Sequence, residues 1–91
     1  MRIEVTHEDI ERGRPKSREA CPIAHAIRRQ SNLHFIEVNP CTLRWCEGSK
    51  VKRRPLPEEA RDFIREFDNA GPVRPFAFDI NIPKDEKRVS P

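Results

Sequence analysis

The sequence predicts an α+β domain: a small antiparallel sheet of about four to five strands with two or three helices packed on one face. Three observations carry that expectation. Ala60, Phe63, Ile64 and Phe67 recur with helical spacing, while Phe76, Phe78, Ile80 and Ile82 alternate with period two. Three short β-prone runs between residues 33 and 54 are separated only by turn-sized gaps, so they pair as hairpins and run antiparallel. Strands and helices come in runs rather than in alternating βαβ units, which segregates them into layers.

Each element follows from local chemistry. Ile3 and Val5 share one face of a short strand over Arg2–Val5. Thr6 reads as a helix N-cap, with Asp9 three residues on as a relative of the capping box. Gly13 reads as the C′ residue of that short helix, in the left-handed conformation glycine tolerates. A polar loop over Arg14–Arg18 follows, and a second helix starts around Cys21-Pro22 with Pro22 at its first position. Its apolar stripe is Ile23, Ala26 and Ile27; Arg28 and Arg29 occupy the last turn, where cations suit the dipole, and Ser31-Asn32 stops it.

Leu33–Val38 is the expected central strand, being rich in β-branched and aromatic residues. Asn39-Pro40 turns the chain into Thr42–Cys46, with Leu43 and Trp45 on one face. Glu47-Gly48-Ser49 turns it again into Lys50–Arg54, a basic strand that Pro55 confines to an edge or an end. Pro57 opens a third helix with Glu58 and Glu59 in its first turn, and Asn69-Ala70-Gly71-Pro72 closes it. A last strand lies between Pro75 and Pro83, expected beside the first because both are short and need partners. The domain spans 1–83, followed by a flexible polar tail over 84–91.

Composition bounds the class. Of 91 residues, 35% are apolar and 36% charged, a balance close to that of disordered chains. The periodic concentration of the apolar residues nonetheless predicts a thin folded core under a solvated shell. The first residues carry charge where a signal peptide needs an apolar run, and no stretch approaches the roughly 18 apolar residues of a membrane span. Three cysteines is an odd number, against a complete disulfide framework. Cytoplasmic residence with reduced thiols and no membrane partner is the expectation.

The chemistry-bearing residues form few constellations. Cys21-x3-His25 with Cys41-x4-Cys46 is the one set with metal-like character, since three thiolates and an imidazole satisfy tetrahedral zinc. Neither spacing is the tight C-x2-C, and positions 41 and 46 point to opposite faces of a regular strand. No metal and no cofactor are therefore expected, and the thiols read as small buried or incidental groups. Cys21 at a helix N-terminus could be a stabilised thiolate, but His25 one turn along the same helix is poorly placed to take its proton. The acids cluster at helix N-termini, which explains them without catalysis. No phosphate loop, G-x-S-x-G or H-E-x-x-H pattern occurs, and no catalytic residue is assigned.

The 18 basic residues are more informative than their excess of 3 over the acids. Lys50, Lys52, Arg53 and Arg54 cluster within five positions, Arg44 joins them across the turn, and Arg28 and Arg29 end a helix. These seven are the predicted binding residues, with Arg12, Arg14, Lys16 and Arg18 studding a neighbouring loop. The four clustered residues are expected to matter for binding and hardly for folding. A one-sided positive surface suits nucleic acid, a nucleotide or an acidic protein. A charge-protected edge strand explains the same pattern without a ligand, and Trp45 reads as core.

The segments Ile3-x-Val5-Thr6 with Asp9-Ile10-x-x-Gly13, Cys21 to Arg29, Leu56 to Asp68, and Pro72-Val73-x-Pro75-Phe76-x-Phe78 together resemble a pattern of small uncharacterised proteins of bacteriophages and prophages. The resemblance covers most of the chain to about residue 82 and carries no catalytic residue across. It implies a compact product of a mobile element acting in a bacterial cytoplasm, where such proteins commonly bind and block a host component or sequester a signal. The leading expectation is thus a non-enzymatic protein engaging an acidic host protein or anionic ligand through its basic face. A nucleic-acid-binding accessory protein comes second, and a zinc- or cysteine-dependent hydrolase last.

Overall fold

A computed structural model describes residues 1–82. The elements run β1 (Arg2–Val5), α1 (His7–Arg12), α2 (Pro22–Gln30), β2 (His34–Val38), β3 (Thr42–Glu47), β4 (Lys50–Pro55), α3 (Glu58–Asp68) and β5 (Phe76–Asp79). The fold is α+β, with all strand pairs antiparallel. The polar tail expected over 84–91, and Pro83 as a strand end, lie outside the described residues.

The five strands divide between two sheets rather than joining in one: β1 pairs with β5, and β2, β3 and β4 form a meander. The expected pairing of first and last strands is present, with Ile3 opposite Phe78. β2 is an edge strand and not the central one; that place belongs to β3. The reason lies at β2's outer side. The Val38 amide donates to the Arg18 carbonyl at 2.8 Å, so the α1–α2 loop occupies the position a further strand would take. β2 also bulges: His34 pairs with Cys46 and Glu37 with Arg44, leaving Phe35 and Ile36 both opposite Trp45.

Helix ends show how the sequence directs the chain. Thr6 and Asp9 complete both halves of a capping box. Cys21 is the N-cap of α2, its sulfur accepting from the Ala24 amide, with Pro22 next. Gly13 departs from expectation: its φ is −70°, so no left-handed residue ends α1. Glycine is required there because a Cβ would meet the Pro22 ring at 2.5 Å. The left-handed cap belongs instead to α3, where Ala70 has φ 60°. Gly71 donates to the Glu66 carbonyl and Ala70 to the Phe67 carbonyl, the paired bonds of a Schellman motif.

One core joins all the layers. α2 packs Ile23, Ala26 and Ile27 against β1 and β2, which ties the two sheets together. Leu43 and Trp45 are fully buried on the inner face of β3. Phe63 of α3 stacks on Phe76 at 4.8 Å and Phe67 at 6.1 Å, and Phe76 continues to Phe78 at 5.6 Å. That aromatic stack is the expected seam between α3 and the last strand.

Candidate functional site

The β2–β3–β4 sheet has one face on the core and one open to solvent. Leu43 and Trp45 define the inner face, so Thr42, Arg44 and Cys46 point outward. Register then places Glu37, Arg44 and Arg53 in one row across the three strands. Arg18 arrives at the end of that row because its carbonyl is bonded to Val38 on β2's edge. The result is a notch of about 210 Å³ lined by Arg18, Glu37, Asn39, Thr42, Arg44 and Arg53. Glu37 is ion-paired with Arg44. Among the described residues, the guanidinium groups of Arg18 and Arg53 have no hydrogen-bond or ion-pair partner.

Phe35 stands next to this row and is 80% exposed. Its φ of 56° puts a bulky aromatic residue in left-handed backbone, at the bulge position that usually takes glycine. Phe35 lines a second cavity of about 270 Å³ with Glu19, Arg28, Ile36 and Glu37. Glu37 is common to both cavities, so ring and arginines form one continuous surface. The Arg28 guanidinium is held there by the Glu19 carbonyl at 2.8 Å.

The seven predicted binding residues are thus sorted by the pleat. Arg44 and Arg53 lie on the open face, and Arg28 reaches its edge. Lys50, Lys52 and Arg54 have the opposite parity, on the side of Trp45. The guanidinium of Arg54 lies 5.5 Å from the centre of the Trp45 ring, and its Nε donates to the Asn81 carbonyl at 2.8 Å. Arg54 therefore departs from the expectation that the cluster is idle in folding: β4 brings no apolar residue to its inner face, and the Arg54 guanidinium lies against the indole instead. Arg29 is also committed to the fold. It donates to Asp9 Oδ2 at 2.7 Å and to the Glu4 carbonyl at 3.1 Å. Burial alone would push the Asp9 carboxyl up, but the bonds from Arg29 and Thr6 outweigh it and hold the carboxyl below the usual aspartate value.

The cysteines are apart in role. Cys21 is buried, and burial pushes its thiol up; Cys41 is exposed and Cys46 half-buried. Among the described residues, no three His, Cys, Asp or Glu side chains are grouped to hold a metal. His34 and Cys46 are cross-strand neighbours with no hydrogen bond between them. Also among those residues, no helix is long and apolar enough to cross a membrane.

Phe35 and Glu37 were not among the expected site residues, and Arg18 was placed only in a loop. Strand parity carries the signal for Phe35. With Ile36 and Val38 inward, residue 35 must leave the core. No protein-family model matches the chain, no curated protein matches it, and no solved structure matches its fold.

Proposed function

We propose that this is a non-enzymatic binding protein whose open sheet face engages an anionic partner. The observation that carries the reading is the notch at Arg18, Arg44 and Arg53, where three cations face one carboxylate and two of them are unpaired. Arginine's planar fork suits phosphate and carboxylate oxygens, and an unpaired pair of forks in a concave site has donors to offer without breaking the fold. The Cys21 thiol, the candidate nucleophile, is buried and used as a helix cap. The resemblance to small phage and prophage proteins supports a bacterial cytoplasmic setting and a host component as partner.

The test is a low-salt titration followed by amide and guanidinium NMR signals, using sodium pyrophosphate and a hexaglutamate peptide as probes. Either probe should shift Thr42, Arg44 and Arg53, and the Arg18→Ala/Arg53→Ala variant should abolish the shifts while melting like the parent. Shifts that survive the double substitution, or none at all, would remove the notch from the function.

A further inference from the structure

We infer that the open face binds single-stranded nucleic acid, with Phe35 stacking on a base and Arg18, Arg28, Arg44 and Arg53 taking backbone phosphates. This deepens the proposed anion-binding reading and rests on it. The juxtaposition that carries it is an exposed aromatic ring continuous with four arginines. Stacking rings within a positive surface are the combination by which proteins hold unpaired strands.

Charge complementarity selects a polyanion, and the form of the apolar contact selects nucleic acid over an acidic protein. A protein interface buries its anchor within a ring of further apolar surface. Here the exposed large hydrophobic residues described are Phe35 and Val51; both lie on the open face, but β3 stands between them, so they form no closed apolar ring. A base needs one ring face and no rim. Phe35 also shares its cavity with Arg28, whose guanidinium is fixed by the Glu19 carbonyl. A flat cation at the side of a stacked base adds to the ring's attraction. Duplex is disfavoured because an exposed ring on a sheet face can stack only on a base that is unpaired and splayed out. The left-handed backbone of this bulky residue fits the same role, since such strain is kept where a function holds it, and the ring it carries is exposed. Glu37 opposes binding, and its pairing with Arg44 limits that opposition.

The experiment measures fluorescence anisotropy of labelled 15-residue oligothymidylate and oligouridylate, and of a duplex of equal length. Hexaglutamate is the competitor. Wild type should bind both single strands more tightly than duplex. Phe35→Leu keeps the bulk and loses the π face, and should weaken binding about 5- to 150-fold, the range of one lost base stack. Phe35→Trp should retain it. Arg53→Ala should reduce the log–log salt slope by about 0.7, one phosphate contact on a single strand. Equal binding of duplex, or unchanged binding by Phe35→Leu, would overturn the inference. If hexaglutamate shifts the notch residues and the oligonucleotides do not bind, the nucleic-acid assignment fails and the anion-binding reading stands. If no probe perturbs the face, both fail.

Discussion

The left-handed backbone at Phe35 makes a prediction whose sign is unusual. In an ordinary strand, replacing alanine by glycine destabilises, because glycine has more backbone freedom to lose, by about 0.5–1 kcal/mol. At residue 35 the Cβ itself opposes the native φ of 56°, at a cost of about 1–2 kcal/mol. Glycine removes that cost and keeps only its entropic disadvantage. Phe35→Gly should therefore be more stable than Phe35→Ala by about 0.5–1 kcal/mol. Both variants lose the fifth of the ring that the fold covers, roughly 40 Å² of the ~200 Å² a phenylalanine can bury, or about 1 kcal/mol. Phe35→Gly should then stand near wild type and Phe35→Ala about 1 kcal/mol below it.

For a domain of this size the gap between the two variants is a difference of about 2–8 °C in Tm, readable by thermal circular dichroism and by urea midpoint. The same two proteins separate stability from binding, since both lack the ring and should lose oligonucleotide affinity alike. Phe35→Ala melting at or above Phe35→Gly would show that residue 35 is not held in the left-handed region. Phe35 would then carry no backbone strain for a function to hold.

Other substitutions test the frame around the site. Phe63→Ala empties the middle of the aromatic stack and should cost about 3–5 kcal/mol in urea unfolding; an unchanged midpoint would refute the core assignment. Arg54→Ala should cost about 1–2 kcal/mol through the lost indole and Asn81 contacts, whereas Arg53→Ala should stay within about 0.5 kcal/mol, and equal effects would contradict the sorting by parity. The Asp9–Arg29 pair makes stability pH-dependent. Because the folded carboxyl lies below its unfolded value, its contribution is present above the unfolded pKa and is lost as pH falls through the folded one. Arg29 is half exposed, so Arg29→Ala should cost about 1–2 kcal/mol at pH 7, less than a fully buried pair, and the gap to wild type should narrow as acid protonates Asp9. A gap that stays constant as the pH falls would mean Arg29 acts by packing alone.

Local chemistry made most of the fold readable. The Thr6–Asp9 box, Pro22 at the start of α2 and the Ala60–Phe67 stripe act through neighbours within one turn, and all are in place. Features settled by remote atoms were not readable. Gly13 owes its identity to the Pro22 ring nine positions on, not to a left-handed cap, and Ala70 takes that conformation without being glycine. The outer edge of β2 is taken by a bond from Val38 to Arg18, which no periodicity reports. That same bond brings Arg18 into the site, so the place of β2 at the edge and the notch beside it share one long-range cause.

The basic cluster shows how a thin core shapes a surface. Lys50, Lys52, Arg53 and Arg54 form one run in sequence, but the pleat sends Lys52 and Arg54 to the Trp45 side, where apolar residues would ordinarily stand. Arg54 is tied there to Trp45 and Asn81, and the parity leaves Arg53 as β4's only cation on the open face. The remaining cations of that face come from the α1–α2 loop, the end of α2 and β3. Such a site gathers few charges, so on the proposed reading each phosphate contact is a large share of the affinity. Binding should then weaken steeply with salt in proportion to the handful of arginines present, and not to the net charge of the chain. Charge-reversing an exposed acid that does not line the notch, such as Glu59→Lys on α3, raises the net charge by two without adding a contact. Its effect on oligonucleotide affinity should therefore be smaller than that of Arg53→Ala, and the opposite ranking would make long-range attraction, not the notch, the source of binding.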